Sequence, residues 1–469
     1  MHLDIHHEPG RVRIALTPGE GEPVTRKGGL ARHTASFTVT VAPRGVHPDL
    51  LVLSAVLCAR PWIRRQTPVT SNLAGSPALA AALASGPGLR LGSVDPTLAP
   101  RPRPEPGVPG LCFSGGTDSV ATLAVMPEST RSYHLLQRAP EGERRATMFD
   151  TRAAQESCEV VRRHGRRVDV VDSDVEYLRA SMGFPHDFTT AVPLLLHADR
   201  DRLDVIAWGA PLEATYRLQR GHYRDLAESP FVAEWGPVFA AVGLPVCVPV
   251  AGVSELVTSR IVHTHALGAA AQSCVRGPRL GSPCGRCAKC ARKTLLAGAV
   301  TGRWPSASTL ERQWRGAEPR AHLLADPIKV EPVIAHTVHR YLTDGGDSTV
   351  LRLVADKVGP DPLPWLSRSF DPALELVPQP YRDEVSDRLH RVAPSMSPAE
   401  EQVVRDYDVR GEDRRAAQQA LVEWFEAHPP QERWSRIRGR ARRESRARAR
   451  LAREAARRLL PGTRARAGQ

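Results

Sequence analysis

Leu111-Cys112-Phe113-Ser114-Gly115-Gly116-Thr117-Asp118-Ser119 is the stretch that decides the fold, an apolar run emptying through two glycines into what reads as a helix amino terminus. Glycine lets the backbone take positive φ and approach a ligand closely, successive amides in such a turn form a nest, and the helix end adds partial positive charge. The expectation is an anion-binding loop. Ser114 and Ser119 can donate hydroxyl hydrogen bonds to phosphate oxygens, whereas Asp118 repels an anion unless it holds Mg²⁺ or pins loop amides. That set of groups suits a pyrophosphate; the plainer alternative is a glycine-rich turn with no ligand.

Working outward, the pattern alternates. Strands are expected at residues 111–113, 133–136 and 168–171, with helices at 119–125 and 152–164 between them and further strands at 203–208 and 244–250. This is α/β order, which implies a parallel sheet with helices on its faces and ligands beyond the carboxyl ends of its strands. Upstream, residues 99–109 read APRPRPEPGVP, a proline-rich lead-in that places a boundary near 105. Residues 1–104 form an α+β region of unassigned role, with a strand expected at 35–41 and an apolar stretch at 47–59 that suits a short helix or a buried strand. Residues 105–302 carry the loop, residues 303–430 read as mostly helical with proline clusters at 360–364 and 378–380, and residues 431–469 are an arginine-rich tail.

The chain has 469 residues, 41% apolar and 25% charged, ordinary for a globular protein, and no apolar run approaches the ~18 residues a membrane span requires. Met1 to Gly10 holds three histidines and no apolar core of a secretory signal, so a reducing cytoplasm and unpaired cysteines are expected. The net charge is +13, but the tail has 14 arginines against Glu432, Glu444 and Glu454, a balance of +11 that leaves +2 for the rest. Five lysines stand against 59 arginines, a bias that GC-rich codons produce without selection on function. The tail therefore reads first as a solvated segment, with contact to nucleic acid or to an acidic protein surface as alternatives.

Four of the eight cysteines, Cys274, Cys284, Cys287 and Cys290, follow a C-x9-C-x2-C-x2-C spacing. Four thiolates close a tetrahedron around Zn²⁺ and leave no open position, so a structural site is expected, with Lys289, Arg292 and Lys293 helping to hold the thiolates deprotonated. An iron–sulfur cluster is the alternative, although the x3-C-P continuation of ferredoxin-type sites is missing. Cys58, Cys112, Cys158 and Cys247 are left over, and no second C-x-x-C exists.

Two acidic groups sit at expected strand ends. Asp172-Ser173-Asp174-Val175-Glu176 follows the third strand and Gly209-Ala210-Pro211-Leu212-Glu213 the fourth, so Asp174, Glu176 and Glu213 are candidate substrate contacts, with a solvated acidic loop as the other reading of the first group. Arg179, Gly183, Phe184 and Pro185 are candidates to cap the pocket. His263 and His265, two apart on an expected helix, point to different sides and do not share a metal.

The Ser114–Ser119 loop lacks the Gly-Lys-Ser/Thr ending of a Walker loop and resembles the PP-loop of the N-type ATP pyrophosphatase superfamily. The resemblance implies a HUP-like parallel-sheet core and cleavage of ATP between its α and β phosphates, with AMP passed to a substrate oxygen. It implies that Ser114, Gly115, Gly116, Thr117, Asp118 and Ser119 bind the departing pyrophosphate, with Asp118 and Ser119 in the catalytic set, and that Leu136 and Gln137 meet adenine through their backbone. The cysteine pattern, S-C, an insert, then C-G-x-C-x-x-C and a basic residue, is similar to the zinc site of the 7-cyano-7-deazaguanine synthase family, itself of the PP-loop type. Residues 254–268, SELVTSRIVHTHALG, match between the two motifs, so the likeness covers about residues 110–300. That family activates a carboxylate with ATP and converts it with ammonia through an amide to a nitrile. The implied reading is a C–N-forming ligase of a small molecule, with ATP, Mg²⁺ and Zn²⁺. The alternatives are sulfur insertion into tRNA or a small molecule, which needs a sulfur-carrying thiol, and a nucleotide- or RNA-binding module without turnover.

Overall fold

The amino-terminal strands and the α/β segment pair into one continuous sheet. A computed structural model describes residues 1–19, 29–39, 45–65, 67–145, 147, 149–362 and 364–429; the arginine-rich tail lies outside the described residues, as do residues 40 and 41 of the strand expected at 35–41. The strands are β1 (His2–Glu8), β2 (Arg11–Thr17), β3 (Thr34–Thr38), β4 (Thr70–Ser71), β5 (Val108–Cys112), β6 (Arg131–Gln137), β7 (Arg167–Ser173), β8 (Leu203–Ala207) and β9 (Val246–Cys247). Their order across the sheet is β4-β1-β2-β3-β7-β6-β5-β8-β9. Strands β5 to β9 are mutually parallel. β1, β2 and β3 form an antiparallel meander, and β3 meets β7 where Phe37 lies opposite Ser173.

The path through the parallel strands creates the crevice. From β5 the chain steps outward to β6 and β7, then returns so that β8 lies on the other side of β5, and ligands bind at the carboxyl ends of strands where strand order reverses in this way. The loop at 114–116 leaves β5 at that point and Gly209 leaves β8 beside it, with Leu111 opposite Ala207.

Helices cover both faces: α1 (Pro48–Ala59), α2 (Pro77–Ser85), α3 (Thr117–Val125), α4 (Thr151–Arg163), α5 (Val192–His197), α6 (Leu212–Thr215), α7 (Gly236–Ala241), α8 (Glu255–Thr264) and α9 (Ala288–Thr301). Cys112, Tyr133, Leu135 and Ile206 face a core that contains α1, α5 and the amino-terminal strands, whereas Leu111, Phe113, Val205 and Ala207 face a second core with α3, α4 and α8. Strands covered on both faces bury both sets of side chains, which is why β5 and β8 are mostly apolar; the polar exceptions Ser132, His134, Gln137 and Asp204 are buried too. The remaining helices are α10 (Ala307–Trp314), α11 (Ala317–Leu323), α12 (Glu331–Thr343), α13 (Thr349–Val358), α14 (Gln379–His390), α15 (Pro398–Arg405) and α16 (Arg415–Ala427). Most pack around Trp314, Ile334 and Phe425, but α14 returns to the sheet, packing Val385 and Leu389 into the second core. There the Tyr381 hydroxyl donates to Asp204 at 2.7 Å.

One local alternative is resolved and two outcomes differ from expectation, each for a physical reason. The stretch at 47–59 is a helix, and Asp49 to Ala59 are all buried, so no polar face was present to reveal the helical period. β5 starts at Val108, inside the proline-rich lead-in; Pro109 fits a central strand because the register with β8 shifts at a bulge between Val108 and Pro109. β9 is confined to Val246–Cys247 because Pro245 and Pro249 remove the flanking amide donors. Among the described residues no helix is long and apolar enough to cross a membrane.

Candidate functional site

Gly115 takes φ +73°, the left-handed region that glycine tolerates, and Gly116 caps α3 with extended backbone. The two serines fold back onto the loop. Ser119 Oγ accepts the Ser114 amide at 3.0 Å and Ser114 Oγ accepts the Gly116 amide at 3.3 Å. Among the described residues neither hydroxyl donates a hydrogen bond, so each hydrogen can point at a ligand, as expected for groups that donate. Thr117 turns to Ser273, whose Oγ accepts the Thr117 amide at 3.2 Å. Asp118 Oδ1 accepts the Thr258 hydroxyl at 2.7 Å and lies 3.9 Å from Lys293 Nζ, so this carboxylate ties α3 to α8 and α9.

Beyond the loop a cavity of about 210 Å³ opens along the carboxyl ends of β5, β6 and β8. Ser114, Gly115 and Ser119 line its polar end, and Leu136 and Gln137 line it from β6. Gln137 is 3% exposed and neither amide atom has a hydrogen-bond partner among the described residues. Aromatic rings line the cavity as well: Phe149 and Phe184 pack with centroids 5.3 Å apart, and Trp208 is a further lining residue. His134 is pushed below the ordinary imidazole range by burial, even though its Nδ1–H donates to the Phe113 carbonyl at 2.9 Å, which works the other way.

The expected carboxylates are dispersed. Asp174 accepts the Ser36 amide at 2.6 Å, joining β7 to the amino-terminal meander. Glu176 is fully buried beside Arg145 and Tyr177. Arg179 donates to the Phe184 carbonyl at 2.9 Å, holding the one residue of 183–185 that lines the cavity. Glu213 is buried behind the loop, where it accepts the Glu255 amide at 3.0 Å. Burial, with Glu255 and Asp118 adding repulsion, pushes its carboxyl up to about 8, so it is protonated at neutral pH. Burial works upward on Glu255 too, but Lys293 at 3.1 Å and a bidentate Arg292 at 3.0 and 3.1 Å more than offset it and hold that carboxyl low. This corrects one expectation: Arg292 and Lys293 serve Glu255 rather than the thiolates. Ser157, Thr258, Glu255 and Gln272 also belong to the surroundings of the loop; only residues 254–268 gave a sequence signal for two of them.

The four cysteines converge, their sulfurs all within 4.8 Å of one another. Cys284 Sγ lies 3.7 Å and Cys287 Sγ 3.4 Å from Cys290 Sγ, close to the about 3.8 Å edge that a tetrahedron with 2.3 Å metal–sulfur bonds requires. The donor set fits a metal ion. Cys287 also caps α9, accepting the Cys290 amide at 3.4 Å, and Cys274 Sγ accepts the Cys284 amide at 3.3 Å; burial works against the Cys284 thiolate, but backbone donors bring its thiol down to about 7. His263 and His265 are engaged singly, the first with the Ser259 carbonyl and the second with the Leu267 amide. The other four cysteines are buried, and burial pushes the thiols of Cys58, Cys112 and Cys247 up and that of Cys158 up to about 12. None has the depressed thiol of a sulfur carrier.

Over residues 234–408 the chain is similar to a family of unknown function, DUF6395. That stretch runs from α7 past α15 and includes the cysteines but not the glycine loop. No curated protein and no solved structure matches the chain.

Proposed function

We propose that the chain is an ATP-dependent adenylating enzyme of the PP-loop type, similar to 7-cyano-7-deazaguanine synthase, which activates a carboxylate or amide oxygen of a small molecule for attack by a nitrogen nucleophile. The observation that carries this reading is the Ser114–Ser119 loop at the strand-order reversal, opening onto a cavity lined by loop amides, serine hydroxyls and aromatic rings. In this reading the β and γ phosphates lie against the loop, and the base lies between Leu136, Gln137 and the rings. The substrate oxygen attacks the α-phosphorus, the bond to the β-phosphate oxygen breaks, and pyrophosphate leaves with the electron pair. A nitrogen nucleophile then attacks the activated carbon, loses a proton and displaces AMP. Mg²⁺, bound with the triphosphate, supplies charge neutralisation on the departing pyrophosphate. The chain's own contribution is positioning and preorganised donors, so no nucleophilic side chain is required. Zn²⁺ is the metal best matched to four thiolates without an open position, and its role is structural.

With MgATP and a suitable acid, the purified protein releases AMP and pyrophosphate. Release of ADP and phosphate instead excludes the reading. Sulfur insertion is the weaker alternative because every cysteine outside the cluster is buried with a raised thiol.

A further inference from the structure

The cysteine cluster and the anion loop, 156 residues apart at their contact, are joined on both flanks of the cluster. On the amino-terminal flank, the Gln272 amide donates to the Gly115 carbonyl at 2.8 Å, and Ser273 Oγ accepts the Thr117 amide at 3.2 Å while lying 3.0 Å from Thr117 Oγ1. Cys274 follows directly. One residue further on, the Val275 carbonyl accepts the Asp150 amide at 2.8 Å, so the same segment fixes the cap of α4 on the opposite wall of the cavity. On the carboxyl-terminal flank, α9 starts at the cluster and carries Lys293, whose Nζ bridges Glu255 at 3.1 Å and Asp118 at 3.9 Å.

A Ser-Gly-Gly turn is conformationally loose, and a ligand that must order it loses affinity in doing so. The loop's own hydrogen bonds are short-range, Ser114 to Ser119 and Gly116 to Ser114; its long-range anchors run to Thr258 on α8 and to residues 272, 273 and 293, and the last three lie on the flanks of the cysteine cluster. Residues 272–275 belong to no regular helix or strand, and Cys274 among them is one of the four converging sulfurs.

We propose that the four-cysteine site, when it holds its metal ion, clamps the anion loop through Ser273 and Lys293, so that the loop's affinity for pyrophosphate follows metal occupancy. Ser273 and Lys293 are positioning residues: they act on the ligand through Thr117 and Asp118. The consequence for affinity rests on the reading of the loop given above, but the mechanical coupling does not.

The test uses the full chain with one zinc per chain, checked by elemental analysis. Hydrogen exchange of peptides spanning 114–120 and calorimetric titration with inorganic pyrophosphate are measured on the loaded protein, after chelation under reducing conditions, and after reloading. Chelation should speed loop exchange and weaken pyrophosphate binding at least tenfold, and reloading should reverse both. Ser273→Ala and Lys293→Met, with full metal, should show the fast exchange and the weak binding without chelation, and Ser273→Thr, which keeps the hydroxyl, should restore the loaded behaviour. If exchange at 114–120 ignores metal removal in a chain that stays folded, the clamp is overturned. Should the stripped chain unfold, loaded Ser273→Ala and Lys293→Met decide: exchange equal to the unaltered chain overturns it equally. Absence of any pyrophosphate binding to the loaded parent counts against the adenylating reading, and the exchange data still settle the coupling.

Discussion

Replacing Gly209 by Ala probes the crevice where its two strands meet. A β-carbon at 209 would lie 2.7 Å from the Asp118 carbonyl carbon and oxygen and from the Ser119 amide nitrogen. All three are backbone atoms of the first turn of α3, so no side-chain rotation relieves the contact. Restoring ordinary contact near 3.5 Å requires moving that turn, or the end of β8, by about 0.8 Å, and overpacking of this kind costs about 1–3 kcal/mol. The displaced turn carries the loop's donors, and a hydrogen bond to a charged group is worth about 1.5–3 kcal/mol. Losing one weakens pyrophosphate binding about tenfold to a hundredfold. Gly115→Ala meets a softer obstacle, since the atom 2.9 Å from its β-carbon is the Ser157 hydroxyl, and its main cost is positive φ, about 1–2 kcal/mol. Urea unfolding and calorimetric titration with pyrophosphate read both effects. A Gly209→Ala chain with the parent's unfolding midpoint and affinity would show that β8 and α3 do not meet as described.

Glu213 makes stability depend on pH in an unusual direction. Its folded carboxyl sits near 8 against an ordinary 4.5, so the folded chain holds a proton that the unfolded chain releases, and stability falls as pH climbs from 4.5 towards 8. At about 1.4 kcal/mol per pKa unit the loss is of the order of several kcal/mol; Glu213→Gln, which mimics the neutral carboxyl, should flatten it in urea midpoints taken at pH 5 and pH 8, and a slope equal to the parent's would refute the assignment. Cys287→Ser separates metal binding from helix capping, because serine still caps α9 where Cys287 now accepts the Cys290 amide. It should lose the metal and lower the melting temperature by several degrees; an unchanged metal content and melting temperature would contradict ligation.

What was legible in the sequence was local. The glycine loop, the cysteine spacing and the strand–helix alternation each depend on neighbours within about 20 residues, and the structure places the loop at a strand-order reversal and gathers the four sulfurs. What was illegible depends on pairing across long separations. Nothing at Asp174 announces that its partner is the Ser36 amide, 138 residues earlier. Residues 1–104 gave no hint that β3 would extend the sheet at β7, since the join is a single residue pair. Lys293 and Arg292 look like thiolate partners by sequence distance, yet a helix turn carries their heads to Glu255. Ser273 stood beside Cys274 in the motif, but its role towards Thr117 needed the fold.

The central claim is that the turn at 114–119 grips the β and γ phosphates of a nucleotide. A structure of the full chain with Mg²⁺ and α,β-methylene-ATP, which cannot be split between those phosphates, tests it most directly. The β and γ phosphate oxygens should lie within hydrogen-bond distance of the loop amides and of the Ser114 and Ser119 hydroxyls, with the base against Leu136 and Gln137. A triphosphate bound elsewhere, or a loop that keeps its donors turned inward with the nucleotide present, would contradict it.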